Sequence, residues 1–304
     1  MISSIMKTLV ASVLVGVIAI TCSSLGAISS VGATIGVATG VLDERQAEGI
    51  RRTGELTERS FEEFTPEQEY YLGRAVSARI VAEYDFYEDE QANTYINNIG
   101  MILAYASDRP QLFADYRFQI LDSDELNAFA APSGLVFVTR GMLRLAGSED
   151  EVASILAHEI AHIQHRHGLE SIRTSRVTAA LTSAALTGAQ FATSSEIREL
   201  TAVFEDSIDD VTQTLFTAGY SRRSETEADV TAVEIMRRVG YDPRSLVRFL
   251  ERMQDQWNPD GPGFAQTHPS PDSRINDISS EIRPGDPRET RGRTDRYHRY
   301  LGGI

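Results

Sequence analysis

His158-Glu159-Ile160-Ala161-His162 sets two imidazoles four residues apart with a carboxylate between them. On a helix, positions i and i+4 lie on one face, so both rings can reach a single metal ion. Glu159 is turned about 100° around the axis. From there its carboxylate can take a proton from a metal-activated water without being a ligand. The H-E-x-x-H pattern alone is a moderate signal, and its bland alternative is a pair of solvent-facing histidines on a helix. The helix itself is well marked. Ser148-Glu149-Asp150-Glu151 is a capping box, Val152, Ile155, Leu156 and Ile163 recur at helical spacing, and Gly168 stops the run. Ala153, Ala157 and Ala161 leave room for close packing.

A catalytic zinc needs a third protein ligand. Glu225-Thr226-Glu227-Ala228-Asp229 opens a second helical pattern that runs from about Ser221 to Val239 and closes at Gly240. Glu225 and Asp229 share a face. Glu225 can be the third ligand, and Asp229, one turn on, can accept the second ring N–H of a zinc histidine and fix its tautomer. Glu227 competes with Glu225 for the ligand role. Acidic residues also favour helix starts for their own sake, and alone that explanation would win. Beside an H-E-x-x-H helix it does not. His165 and His167 are expected to be packing or surface residues.

On these residues the chain resembles the gluzincin peptidases of the HtpX/Oma/CaaX-protease superfamily, especially the periplasmic BepA/LoiP-type branch. The similarity runs from about Glu67 to Arg274 and rests on four ordered blocks. They are Asn127-Ala128-Phe129-Ala130-Ala131-Pro132-Ser133-Gly134, with Ser133 where the family has glycine; His158 to His162 with Arg166-His167 following; Tyr220-Ser221-Arg222 leading to Glu225, Ala228 and Asp229; and Thr267-His268-Pro269 followed by Arg274. The resemblance implies one zinc ion per chain held by His158, His162 and Glu225, which it favours over Glu227. It implies that His268 can occupy the fourth zinc position and hold the enzyme latent. Glu159 is the expected general base, and Arg274 or His268 the expected oxyanion donor. Asn127 is a further candidate for oxyanion or substrate contact. The branch's TPR-like repeats do not follow the peptidase region in this sequence.

The implied reaction is cleavage of misfolded or flexible exported proteins, with substrate extended along the Leu135–Thr139 strand and paired through its backbone. Two alternatives belong to other classes. One is a non-proteolytic periplasmic chaperone or assembly factor with a structural zinc, which a closed fourth ligand position would favour. The other is a membrane-acting protein that uses an N-terminal glycine-spaced segment.

The expected fold class is α+β: a mainly helical zincin-like domain with a small antiparallel sheet whose edge strand borders the site. A Thr65 cap with Pro66 and Gln68 starts a helix that reaches about Tyr84, and a second helix covers roughly Glu88 to Ala106. Tyr116–Leu121 and Leu135–Thr139 read as strands. Residues 171–218 read as mostly helical, and further helices are expected at Pro243 to Gln256 and Asp272 to Ile282. Asn258 to Gly263 reads as an irregular loop. The peptidase domain is expected over 61–283, followed by a tail at 284–304. From Arg283 to Tyr300 there are six arginines against three acids, which reads as a solvated face.

The start of the chain is expected to be an address. Residues 1–22 combine Lys7, an apolar run from Leu9 to Ile20 and small residues, the layout of a secretory signal. Cys22 offers a lipid attachment point and with it a membrane anchor. Residues 23–60 are expected to be a flexible tether or linker. Gly32, Gly36 and Gly40 form a small-xxx-small pattern that suits membrane helices as well. With 44 acidic against 29 basic residues the net charge is −15, so nucleic acid is not an expected partner. A single cysteine excludes a disulfide framework and zinc modules built on cysteine pairs.

Overall fold

The computed structural model of the chain describes residues 25–45, 47, 48, 51, 64–171, 211–256 and 264–304. The expected signal peptide with Cys22, most of the linker, most of the 171–218 stretch and the loop at 258–263 lie outside the described residues. The chain divides into two units, residues 1–63 with 172–199, and residues 64–171 with 200–304.

In the first unit, Leu25–Ala38 forms helix α1. Within the stretch expected to be a flexible tether or linker, these fourteen residues are helical. Ala, Leu and Ile supply enough helix propensity to outweigh the three glycines. The helix ends at Gly40, whose φ of 67° needs glycine. Among the described residues no helix is long and apolar enough to cross a membrane.

The second unit carries the chemistry. Helix α2, Pro66–Glu83, starts on the expected capping box, with Thr65 Oγ1 accepting from Gln68 N–H and the Gln68 side chain accepting from Thr65 N–H. Helix α3, Glu90–Ala106, is capped by Asp89. Three strands follow: β1 Arg117–Leu121, β2 Ala128–Ala131 and β3 Leu135–Thr139. They lead into α4, Arg140–Leu145, and α5, Glu149–Gln164. After a π-helical turn at Thr214–Ala218 come α6 Arg222–Arg238, α7 Arg244–Gln254, α8 Phe264–Thr267, α9 Pro271–Ile278 and α10 Arg291–Leu301.

The α+β, mainly helical class holds, but the sheet is mixed. Its order is β1-β3-β2, with β1 parallel and β2 antiparallel to β3. β2 and β3 form a hairpin over Pro132-Ser133-Gly134, while the chain between β1 and β2 crosses to the far side of β3. β3 is consequently central, and both of its backbone rows are taken. The expectation that substrate pairs with Leu135–Thr139 is corrected for that reason; β1 and β2 are the edge strands. The hairpin turn holds Ser133 at φ 78° and Gly134 at φ 97°. A left-handed residue with a side chain costs about 1–2 kcal/mol, which explains why glycine suits the Ser133 position.

Helix α2 lies very close to this turn. A Cβ built on Gly73 would fall 1.6 Å from the Pro132 carbonyl oxygen. Gly73→Ala is thus expected to push α2 off the hairpin and destabilise the domain by about 1–3 kcal/mol. A denaturant melt of the purified variant checks this.

Helix α5 runs through the core, with every residue from Glu149 to Ile163 buried. Its three first-turn acids are buried too, so each needs a partner. Glu149 accepts from Tyr95 and Tyr241 hydroxyls and takes both arms of Arg296. Asp150 accepts from Asp242 N–H and Arg293. Glu151 takes Gly147 N–H and Arg252. The Ser148 cap is present, although the Glu151 carboxylate reaches back to Gly147 and not to Ser148. Two of these partners belong to α10. The 284–304 segment is therefore part of the domain and not a solvated tail. Tyr297 and Leu301 are buried, and the Tyr297 hydroxyl donates to the Leu143 and Ala146 carbonyls.

Candidate metal centre

Two helices and one loop bring the site together. α5 supplies His158, Glu159 and His162 from its C-terminal half. α6 begins at a Ser221 cap, which orients its first turn and presents Glu225, then Asp229 one turn on. The segment after α8 supplies His268, whose ring stacks on Phe264 at 3.8 Å. Thr267 in turn lies against Gly219, where a Cβ would meet the Thr267 carbonyl oxygen at 2.2 Å.

His158, His162, Glu225 and His268 each turn a ligand atom into one spot, all within 4.8 Å of one another. His158 Nε2 and His162 Nε2 are 3.1 Å apart. Glu225 oxygens lie 3.4 Å from His162 Nε2, 3.7 Å from His158 Nε2 and 2.7 Å from His268 Nδ1. Ligands about 2.0–2.1 Å from a tetrahedral zinc stand about 3.3 Å from one another, and the four distances bracket that value. The donor set of three neutral imidazoles and a carboxylate suits zinc. Burial pushes the His158, His162 and His268 imidazoles below their ordinary range, so they keep the lone pairs a metal needs. Glu225 Oε1 is buried without a hydrogen-bond partner, and so are Glu159 Oε1 and Arg274 Nη1. Such atoms are costly unless something else pairs them, and a divalent cation fits the place that Glu225 Oε1 faces.

Around this set the orienting contacts differ for the two histidines. His158 Nδ1 lies 2.9 Å from Asp229 Oδ1. Arg274 grips the same carboxylate with Nε at 2.8 Å and Nη2 at 2.6 Å. Burial alone would raise Asp229, but Arg274 and His158 outweigh it and hold the carboxyl well below the usual range. Asp229 is thus a permanent anion that keeps the His158 proton on Nδ1 and leaves Nε2 free. Arg274 Nη2 also approaches His158 Nδ1 at 3.2 Å. Two donors cannot share a bond, so with Nδ1 protonated that approach is a packing contact. His162 Nδ1 instead meets His167 Nδ1 at 2.8 Å, and the Tyr220 ring stacks on His162 at 4.3 Å.

Comparison with known proteins places this geometry. Residues 90–282, more than half of the chain, match Peptidase family M48. The chain belongs to peptidase family M48. It is 27% identical over 222 residues to the beta-barrel assembly-enhancing protease of Escherichia coli (strain K12), covering 71% of this chain and 45% of that protein. It is 30% identical over 241 residues to the putative beta-barrel assembly-enhancing protease of Vibrio cholerae, covering 77% and 48%. It is 33% identical over 154 residues to the mitochondrial metalloendopeptidase OMA1 of Schizosaccharomyces pombe, covering 50% and 42%. The chain spans about half the length of the curated relatives it matches. Membership in family M48 implies a metal cofactor, and the buried His/Glu cluster is where this M48 chain can bind one.

Of the residues singled out from the M48 chain's sequence, His158, His162, Glu225 and His268 converge, with Asp229 and Arg274 directly behind His158. Although His268 follows a short helix and precedes Pro269, it is not a solvent-facing loop residue, since its side chain is 5% exposed. Glu227 lies outside this cluster: it is half exposed and pairs with His165 and His167. Asn127 sits at the head of β2, where its Oδ1 accepts Ala128 N–H. The contacts of His167 and Tyr220 with His162 had no spacing signal. His167 lies beyond the helix end, and it is aimed back by Arg166 in a left-handed conformation (φ 57°).

Two buried carboxylates make the metal-free M48 domain pH-sensitive. Burial, with Glu225 nearby, pushes Glu159 up from 4.5 to about 8. Burial likewise pushes Glu225 from 4.5 to about 7. Both folded values lie above the unfolded one, so the folded state holds more protons between them, and stability falls as pH rises through that window. Below about pH 6.5 the buried His158, His162 and His268 imidazoles, held below their unfolded value, act in the opposite sense. The melting temperature of chelator-treated protein is therefore expected to fall only above about pH 6.5, up to about pH 8. Added zinc should offset the fall, because a cation favours both ionised carboxylates. Paired thermal melts across that range check this.

Proposed function

We propose that the chain is a zinc-dependent endopeptidase acting on misfolded or flexible exported proteins and held latent by His268. The observation that carries this reading is the convergence of His158, His162, Glu225 and His268 on one spot, with Glu159 Oε1 buried beside them and unpaired. The relatives' names support proteolysis, and the donor set supports zinc over harder cations.

Zinc, when bound, supplies the Lewis acidity that activates water and polarises the scissile carbonyl. The chain's own residues do the rest. Glu159 takes the water's proton and passes it to the leaving amine. Its Oε1 is free for this because no protein donor occupies it. Arg274 Nη1, also unpaired, is the fixed positive group beside the site that can stabilise the oxyanion. Substrate adds to the side of β2 away from β3, which must first be uncovered because all four β2 residues are buried. Thr139 N–H donates to the Asn127 carbonyl, so by antiparallel alternation Ala130 turns its backbone groups away from β3, while the Ala128 N–H is already taken by Asn127 Oδ1. Edge pairing needs an extended partner, which restricts substrates to flexible chains. The signal-like start and the bacterial relatives support action in the periplasm, with attachment to the membrane through the N-terminus.

His268 completes four protein ligands and leaves no position for water, so cleavage requires it to leave. The same closure favours the second reading, a chaperone with structural zinc. His268→Ala separates them. In the zinc-loaded variant, cleavage of unfolded casein is expected to rise at least about tenfold over wild type, as a closed zinc site becomes an open one. No cleavage by any such variant, with casein still bound, supports the chaperone.

A further inference from the structure

An imidazole that offers Nε2 to a metal must keep its proton on Nδ1, and something must accept that proton. For His158 the acceptor is Asp229. The neighbour of His162 Nδ1 is not a carboxylate but a second imidazole, His167 Nδ1 at 2.8 Å. We propose that His167, backed by Glu227, is a positioning residue that holds His162 in its metal-binding tautomer. The inference rests on the metal-site reading above and concerns a part of it that the ligand motif does not contain.

The direction of the bonds follows from the chemistry. His162 donates through Nδ1–H, so His167 accepts on Nδ1 and carries its own proton on Nε2. That Nε2 faces Glu227 Oε2 at 3.5 Å. The other Glu227 oxygen lies 3.4 Å from His165 Nδ1, and His165 Nε2 lies 2.8 Å from Thr231 Oγ1. The carboxylate is thereby held between two imidazoles. The inner end of the relay is sealed, with the His167 side chain 5% exposed, and the outer end is open, with Glu227 at 45%.

The backbone that aims His167 is itself fastened. α5 ends at Gln164, and Arg166 takes a left-handed turn that brings His167 back under His162. Arg166 reaches Glu69 at 3.4 Å. Arg109 grips the same carboxylate and also donates to the Ile163 carbonyl. Glu69 is buried on α2. Two arginines on one buried carboxylate thus hold the last turn of α5 and the left-handed residue after it. The Tyr220 ring covers one face of His162, so rotation of that imidazole is blocked by stacking as well as by its Nδ1 bond.

The test is zinc affinity of the full chain, measured by competition with a chromophoric chelator, with the melting temperature of each metal-free protein as the fold control. His167→Phe fills the space but cannot accept a proton, and it should weaken zinc binding about 10–100-fold. His167→Gln offers an amide oxygen to the same proton and should stay within about threefold of wild type. Loss of the exposed backing in Glu227→Ala should weaken binding several-fold without altering the metal-free fold. Wild-type affinity in His167→Phe overturns the proposal, and so does an equal loss in Phe and Gln variants that both fold. Should the Phe variant not fold, histidine nitrogen NMR of zinc-loaded wild type decides. His167 protonated on Nε2 supports the relay, and protonation on Nδ1 overturns it. Failure of wild type itself to bind zinc would instead strike the metal-site reading.

Discussion

Glu159→Gln is expected to lower casein cleavage by about 10²–10⁴-fold, measured in the His268→Ala background, while zinc content stays unchanged. The amide keeps the volume of the acid and cannot accept the proton. Glu159 is outside the group of four that converges on the metal position, so its loss leaves the ligand set intact. A loss of zinc in step with activity would make Glu159 a ligand and not a base. Full activity would remove it from the reaction. The pH profile carries the same logic. The metal-free site holds this carboxyl up at about 8 because it is buried with Glu225 beside it. A bound cation adds an opposite charge close by and lowers that value. The acid limb of the activity profile should therefore lie below the value of the metal-free protein.

Arg274→Ala is the second large effect, on stability. Arg274 and Asp229 are both buried, at 3% and 0% exposure, and share a two-armed bond. Removing one partner leaves a buried carboxylate with only the neutral His158 N–H beside it, which costs about 3–5 kcal/mol. For a domain of this size that is a fall of about 6–20 °C in melting temperature. The acid side should change as well. Asp229 has a depressed folded value, so its stabilising contribution is present above the unfolded value and is lost as pH falls through the folded one. Without Arg274 that loss should move to higher pH. The exposed pair of Arg144 with Asp124 serves as control, and Arg144→Ala should leave the melting temperature nearly unchanged. Equal effects from the two variants would contradict the role given to the buried pair.

How much of this was legible beforehand depends on the range of the signal. The α5 helix was, because its cap, its apolar spacing and the two histidines all lie within one segment. Glu225 and Asp229 became legible only beside that helix, since an acidic helix start has a sufficient local cause of its own. His268 and Arg274 rest on resemblance, because nothing in Thr267-His268-Pro269 states that Phe264 and Gly219 will seat the ring against Glu225. The central position of β3 was hidden, because its parallel partner β1 is joined through a crossover that no local pattern encodes. The buried role of α10 was masked by its own arginines. Only the spacing of Tyr297, Tyr300 and Leu301 hints at a packed face, and the acids it serves are on α5. His167 was marked only as part of the Arg166-His167 pair in the resemblance, and its contact with His162 was hidden, since its direction depends on a left-handed arginine held by Glu69 from another helix.

The most direct test is an anomalous diffraction measurement at the zinc edge on zinc-loaded protein. One peak per chain is expected, about 2.0–2.2 Å from His158 Nε2, His162 Nε2 and a Glu225 oxygen. A protein that takes up no zinc, or a peak elsewhere with Glu225 turned away from both histidines, would contradict the account.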